Sequence, residues 1–343
     1  MSLDTKLHKD FSVIIPTFNR SNFLKVALFS VLRQKGISFE IIVSDNASTD
    51  DTEEVVKEFK DQRIKYFKNK ENLGFSGNIK NCFSRSSGKY IFTLGDDDLI
   101  LNQNTLLEVL KVMRKVKSGV ANIGTIYWSK SPKFPCKAFI LSDKLIVLKP
   151  NKDKKLPLKS LDFNVSFFSG LIFDNSLIDI SKITTSFTYA YFPFVYDVIL
   201  KKGIAYIPDH FIVGYISYRF VPHYYDIEKL GSFYMEDYLN LMSEFLSRED
   251  YQNHKKKFLQ ESTILLPSIK LFTSNKNYFQ VLKKMITLNK SLLVFPQFIF
   301  LAVTGFFPKF ILKALRDLMI YRQEKKIGEM VKKYDYFNRL AAL

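Results

Sequence analysis

Tyr90-Ile-Phe-Thr-Leu94 runs directly into Gly95-Asp96-Asp97-Asp98, followed by Leu99-Ile100. The first five residues form a short apolar run of strand length. Three carboxylates then stand side by side at its end. Adjacent carboxylates repel one another and are costly to assemble unless something positive binds them. Oxygen-rich clusters suit hard cations such as Mg²⁺ or Mn²⁺. A divalent ion there would join carboxylates to a substrate diphosphate and neutralise a leaving group. The competing reading is a solvated acidic turn or a helix cap. Thr105-x-x-Glu108 weighs against it, because it reads as a separate capping box for the following helix.

Outward from this stretch, strands alternate with helices back to the N-terminus. Phe11 to Ile15 is a first strand, and Ser21 to Gln34 places Phe23, Leu24, Ala27, Leu28, Val31 and Leu32 at helical spacing. Glu40 to Val43 is a second strand. Ser48, Thr49 and Asp50 offer N-caps to a helix with Glu53 and Glu54 in its first turn and Val55, Val56 and Phe59 beyond. Ile64 to Phe67 is a third strand, and a helix starts at Asn78 to Phe83. This alternation predicts an α/β fold with a doubly wound, mostly parallel sheet. Ligands of such sheets sit beyond the carboxyl ends of the strands.

Those ends carry polar loops. Pro16-Thr17-Phe18-Asn19-Arg20 follows the first strand and Ser44 to Asp50 the second, with Asp45 placed to accept from a base N–H. Glu71 to Asn78 follows the third, where Gly74 and Gly77 permit close backbone approach to a ligand. Each loop also reads as an ordinary turn. Their placement at consecutive strand ends, ahead of the acidic triplet, gives them joint meaning. No G-x-G-x-x-G follows the first strand and no G-x-x-x-x-G-K-[ST] occurs, so a nucleotide would be held by side chains and a metal.

In this order, VIIPTFNR (13–20), EIIVSDNASTDDT (40–52), ENLGFSGNI (71–79) and YIFTLGDDDLI (90–100) resemble the nucleotide-binding half of family 2 glycosyltransferases with the GT-A fold, of the bacterial surface-glycan type. The resemblance implies that Pro16, Thr17, Asn19 and Arg20 lie along the nucleotide and that Asp45 reads a uracil. Asn72, Gly74 and Asn78 would close the site around ribose and diphosphate. The triplet stands for the family's D-x-D metal motif with Gly95 in place of its first Asp. Asp97 then matches the metal ligand, Asp96 lies on ribose or metal, and Asp98 stands behind them, with Mn²⁺ or Mg²⁺ as the cofactor. FFSGLIFDNSLI (167–178) and YFPFVYDVILKKGIAYIPDHFIVGY (191–215) resemble the acceptor side. The family's Glu-Asp pair is absent there, which leaves Asp197 as the candidate general base, or else a polar residue on a buried helix. His210 and His223 are back-up candidates, and Arg219 with His223 would approach the diphosphate.

The division expected is 1–105 for the nucleotide-sugar half, 106–225 for the acceptor half, and 226–343 for a helical extension. Ser129 to Ser160, with four prolines and many lysines, reads as a connector or flap. Ser291 to Pro308 is almost wholly apolar, at the lower edge of spanning length and interrupted by Pro296 and Gly305. The basic stretch Lys309 to Lys333, with Leu312, Leu315, Met319 and Ile320 near one face, suits adsorption to an anionic leaflet. The alternatives are a buried helical pair or an oligomer interface.

Composition bounds the rest. With 51 Lys+Arg against 34 Asp+Glu, the net charge of +17 favours polyanionic partners. Cys82 and Cys136 cannot build a disulfide framework or a thiolate zinc site, and His8, His210, His223 and His254 lack ligand spacing. The N-terminus lacks a signal-peptide pattern. The resulting expectation is a metal-dependent, inverting transferase at the inner face of the cell membrane. It would move a sugar from a UDP-linked donor to a hydroxyl of a glycan or lipid-linked glycan. A nucleic-acid-binding protein or an inactive membrane-associated scaffold are the rival classes. The acidic triplet opposes nucleic acid, and the missing Glu-Asp pair gives the scaffold some weight.

Overall fold

A computed structural model of the chain describes residues 9–128, 135–150, 167–184, 191–215, 233–262, 274–303 and 306–332, with isolated positions 155, 156, 159, 165, 266 and 270. It divides into two compact units, 1–215 with 328–343 and 216–327.

The first unit is built on one sheet. Strand β1 (Phe11–Thr17) pairs in parallel with β2 (Phe39–Asp45) and β4 (Tyr90–Thr93), and β2 pairs in parallel with β3 (Ile64–Lys68). All of β1 and β2 is buried, as expected of parallel strands covered on both faces. Helix α1 (Ser21–Leu32) buries Leu24, Ala27, Leu28 and Val31, one stripe at three- and four-residue spacing. Each such side chain contributes roughly 1.5–3 kcal/mol when fully buried. Helix α2 (Thr52–Glu58) buries Val55 and Val56, and Phe59 follows its last turn. Helix α3 (Gly74–Ser84) begins four residues before the expected start, because Asn72 Oδ1 accepts from the Gly74 N–H at 2.9 Å and opens the first turn early. Gly77 therefore lies inside a helix, not in a ligand loop.

Beyond β4 the pairing is mixed. Strand β5 (Asp98–Ile100) follows the acidic turn, then α4 (Thr105–Val116), β6 (Val120–Trp128), β7 (Pro135–Phe139), β8 (Ile146–Leu148) and β9 (Leu171–Asp174). Helix α5 (Phe192–Lys202) leads into β10 (Ile204–Tyr215). The order is β3-β2-β1-β4-β9-β6-β10-β5, with β9 antiparallel to both β4 and β6 and β10 parallel to β6. Strand β10 unites two apolar runs of the sequence. The break between them, at Pro208-Asp209-His210, is a bulge with Asp209 at φ +61°. The Ser129–Ser160 stretch is more than a connector, since β7 pairs with β6 and β8 with β10.

The capping box expected at Thr105 and Glu108 does not form. Asn104 is the N-cap, Thr105 is buried in the first turn, and the Leu106 N–H is satisfied by Gln34 Oε1 at 3.0 Å. A residue just past the end of α1 thus does the capping.

The second unit is helical: α6 (Phe233–Phe245), α7 (Arg248–Ser262), α8 (Asn275–Leu288), a 3-10 turn (Lys290–Val294), α9 (Pro296–Val303) and α10 (Lys309–Lys332) as far as Ile327. Its core gathers Leu239, Leu259, Tyr278, Met285, Leu292 and Phe298. The expected helix forms over Lys309–Lys332, but its apolar residues are spread round it rather than held to a single stripe along its whole length. No described helix is long and apolar enough to cross a membrane.

Candidate active site

The parallel strands β1, β2 and β4 end side by side, which brings the loops after them together. Thr17, the last residue of β1, donates through Oγ1 to Asp96 Oδ2 at 2.7 Å. Arg20 Nη1 lies 3.2 Å from Asp96 Oδ1 and 2.7 Å from Asp97 Oδ2. Residues 76 to 79 positions apart in sequence therefore meet at one point. The Asp96 side chain is 9% exposed; those of Asp97 and Arg20 are each 27% exposed. Asp97 is the carboxylate of the pair open to solvent.

Asp98 points elsewhere. Ser169 donates to its Oδ2, and the same Ser169 Oγ accepts from the Gly95 N–H at 2.7 Å. A Cβ on Gly95 would stand 2.9 Å from Asp98 Oδ2 and 3.2 Å from Asp97 Oδ1. A side chain at this position would require Asp98, Asp97 or Ser169 to shift. Among the described residues no three acidic, histidine or cysteine side chains are grouped to hold a metal ion. Asp98 braces the turn through Ser169.

Charge in the turn is unbalanced. Burial, and then the neighbouring Asp97, push Asp96 up to about 7 despite Arg20 and Thr17. Burial, and then Asp97, hold Asp98 well above the ordinary carboxylate range. A second cation would relieve both. Hard carboxylate oxygens on Asp97 and Asp96, converging on a point already occupied by a guanidinium, fit Mg²⁺ or Mn²⁺.

The other loops brace one another. Asn19, at φ +54°, donates its backbone N–H to Ser48 Oγ at 2.9 Å and accepts through Oδ1 from the Thr49 N–H at 2.8 Å. Asp50 accepts from the N–H groups of Ser21 (3.1 Å) and Thr52 (3.2 Å), serving the starts of α1 and α2 at once. Pro16 is buried within β1, opposite Ser44.

Three predicted binding residues have internal tasks. Asp45 is fully buried, and its oxygens accept from the Ser48 N–H at 2.8 Å and the Tyr66 hydroxyl at 2.5 Å, so it faces the protein and not an open base pocket. Asn78 is buried and donates to Ser44 O at 2.9 Å while its Oδ1 accepts from Asn69. Asn72 accepts from Asn46 Nδ2 at 2.6 Å, and the Gly74 carbonyl accepts from the same amide at 3.3 Å. Gly74 itself sits at φ +67° with open space where a Cβ would be.

Asp197 is not brought to this cluster. It sits on α5 in ion pairs with Lys201 (2.7 Å) and Lys182 (3.7 Å). Lys201 also donates to Leu177 O, just past Asp174, which is level with Tyr90 at the start of β4. Asp197 thus leans toward the end of the sheet opposite the acidic turn. His210 lies in the β10 bulge, and Arg219 and His223 fall outside the described residues.

Sequence reasoning missed Asn46, which is buried and binds Asn72, Gly74, Asn69 and the Leu73 N–H, although its place beside Asp45 at a strand end was a usable signal. It also missed Ser169 and an aromatic trio. Phe75, Phe168 and Tyr191 lie with ring centroids 5.8 to 6.3 Å apart, next to Gly74 and Ser169. No local pattern marks them, since they come from three distant segments. A cavity of about 910 Å³ lies at the other end of the sheet, lined by Lys9, Lys89, Arg114, Lys117 and Lys202 among others, and takes in none of the predicted site residues.

Comparison with known proteins bears on the same region. Residues 12–174 match the family model for glycosyl transferase family 2, which spans all four strand-end loops. Over 183 residues the chain is 34% identical to a GalNAc(5)-diNAcBac-PP-undecaprenol beta-1,3-glucosyltransferase of Campylobacter jejuni, covering 51% of this chain and 55% of that one. Over 103 residues it is 29% identical to the UDP-Glc:alpha-D-GlcNAc-diphosphoundecaprenol beta-1,3-glucosyltransferase WfgD of Escherichia coli, covering 30% of this chain and 41% of that one. The chain thus matches about half the length of the first relative and less of the second. In three dimensions it is similar to the 1–349 segment of S. aureus TarS in a complex with UDP-GlcNAc. The TM-score is 0.54 at 16% identity, over 82% of this chain and 91% of that one, a likeness of fold. The sheet is that of the expected GT-A class, and residues 12–174, just under half of the chain, match glycosyl transferase family 2.

Proposed function

We propose that this protein transfers a glycosyl group from a nucleotide-sugar donor, UDP-linked, to a hydroxyl of a lipid-linked glycan. The observation that carries the reading is the meeting of Thr17 and Arg20 with Asp96 and Asp97 at the ends of two adjacent parallel strands. In sheets of this kind that crevice is where ligands bind. The names of the C. jejuni and E. coli relatives support a lipid-linked acceptor, and the second supports a UDP donor.

Asp97 and Asp96 would hold Mg²⁺ or Mn²⁺, which, when bound, supplies positive charge to the departing diphosphate. Arg20 then has two roles open to it. Without donor it neutralises Asp96 and Asp97; with donor its guanidinium is placed to turn to phosphate oxygens, for which its fork geometry is suited. Asn19 and Asp50 keep the loop carrying Arg20 in register with the loop after β2. Phe75 and Phe168, both half-buried beside the turn, offer apolar faces to a sugar ring. Inversion at the sugar carbon is the course the family resemblance implies. Because the reaction uses a lipid-linked acceptor, it would take place at a membrane surface.

The test is a screen of nucleotide sugars for metal-dependent hydrolysis by the full chain. Release of UDP that requires Mn²⁺ or Mg²⁺ and depends on Asp97 is the expected result. Absence of hydrolysis and of nucleotide binding with every donor would favour the inactive scaffold.

A further inference from the structure

From Ser262 to Arg316 the chain holds eight basic residues and no acidic one. Within this stretch the 3-10 turn, α9 and the start of α10 bury one side and expose another that is equally apolar. Leu292, Phe298 and Leu312 are buried at 1–2% exposure. Val294, Phe300, Phe306 and Phe310 are 80%, 69%, 77% and 74% exposed, and Leu293, Ile299 and Val303 are close to half exposed. Phe306 packs against the exposed Phe279 with ring centroids 5.9 Å apart, so the patch reaches α8. On the first turns of α10 it continues along Phe310, Ala314, Leu318 and Tyr321, at the spacing of one helix face. Soluble surfaces scatter such residues singly; a concentration of them marks an interaction site.

We infer that this surface is a monotopic membrane anchor that seats in an anionic leaflet. The phenylalanines enter the acyl boundary, and Lys290, Lys309 and Lys313, all exposed, lie at headgroup level. Charge decides between occupants. A second copy meeting this face would set one basic stretch against another, Asp317 being the one acidic residue from Ser262 to Tyr321, whereas phosphatidylglycerol-type headgroups complement it. No described helix is both long and apolar enough to cross a membrane, and the inference places the segment in the interface. The inference deepens the proposed use of a lipid-linked acceptor but needs no turnover to be tested.

The experiment is co-sedimentation of the full chain with phosphatidylcholine vesicles, with and without phosphatidylglycerol. Wild type should bind the anionic vesicles, and less so as salt is raised. Phe300→Ser/Phe306→Ser/Phe310→Ser should lower the partition coefficient at least about tenfold. Lys309→Gln/Lys313→Gln should lower it by about tenfold on anionic vesicles and little on neutral ones. Phe306→Trp in a Trp128→Phe background keeps the patch apolar, and brominated lipid should quench it. Unchanged binding of the triple variant, or no quenching, would overturn the inference. So would a wild-type dimer, indifferent to vesicles, that the triple variant converts to monomer, since the occupant would then be a second copy. Vesicle binding by a protein that hydrolyses no donor would leave the anchor standing and the transfer reading fallen.

Discussion

Asp197 shows how a residue's chemistry depends on what surrounds it. The sequence marks it as the one carboxylate in the segment where a general base is expected, yet Lys182 and Lys201 claim it. Partly exposed ion pairs of this type contribute about 0–1 kcal/mol. Asp197→Asn should therefore lower thermal stability slightly and leave the initial rate of donor hydrolysis within about twofold of wild type. A loss of hydrolysis with unchanged stability would return the residue to the reaction. Glu40 is the opposite case, a fully buried carboxylate the sequence did not mark. Burial alone would raise its pKa, but bonds from Lys65, Ser12 and Ser87 outweigh burial and hold it well below the usual range. Its ionised form thus stabilises the fold above the ordinary glutamate value of 4.5, and that contribution fades as pH falls below it. Glu40→Gln should cost about 1–3 kcal/mol at pH 7. Urea titrations at pH 7 and pH 3 should show the gap between wild type and variant narrowing in acid; a constant gap would refute the assignment.

At the scale of elements, the strands and helices up to β4 were legible because each carries its own signal. Phe11 to Ile15 is a continuous apolar run, and Leu24, Ala27, Leu28 and Val31 fall on one helix face. What lay beyond was set by partners far away in the chain. Strand β5 has three residues and exists because β10 pairs with it, and β9 enters the sheet between β4 and β6. The same cause explains the site. Thr17, Arg20, Asp96 and Asp97 were readable from their positions at strand ends. The inward turn of Asp45 and Asn78 was not, because Tyr66 and Asn69, which bond them, show no local pattern. Asn78 ties α3 to the ends of β1 and β2 through Ser44 O and Thr17 O. Asn78→Ala should destabilise the protein by about 1–3 kcal/mol through the unmet carbonyl and the lost bonds. Differential scanning calorimetry would show it as a lower Tm, with nucleotide affinity at 10 °C nearly unchanged. A normal Tm with lost affinity would make Asn78 a ligand contact after all.

At the scale of the molecule, two units carry different chemistry. The first holds the region that matches family 2 on a mixed sheet whose parallel strands β1, β2 and β4 gather charge at their ends. The second is helical with a core of its own and the exposed apolar surface of residues 293–310. The central claim belongs to the first unit: the Thr17–Arg20 and Asp96–Asp97 junction is a nucleotide-diphosphate site completed by a divalent cation. Isothermal titration of UDP into the full chain, with Mn²⁺ and with chelator, for wild type and Asp97→Asn, tests it most directly. The account predicts wild-type affinity at least about tenfold higher with Mn²⁺, and an Asp97→Asn protein whose affinity no longer responds to the metal. UDP binding by the Asp97→Asn protein as tight and as metal-responsive as wild type would contradict it.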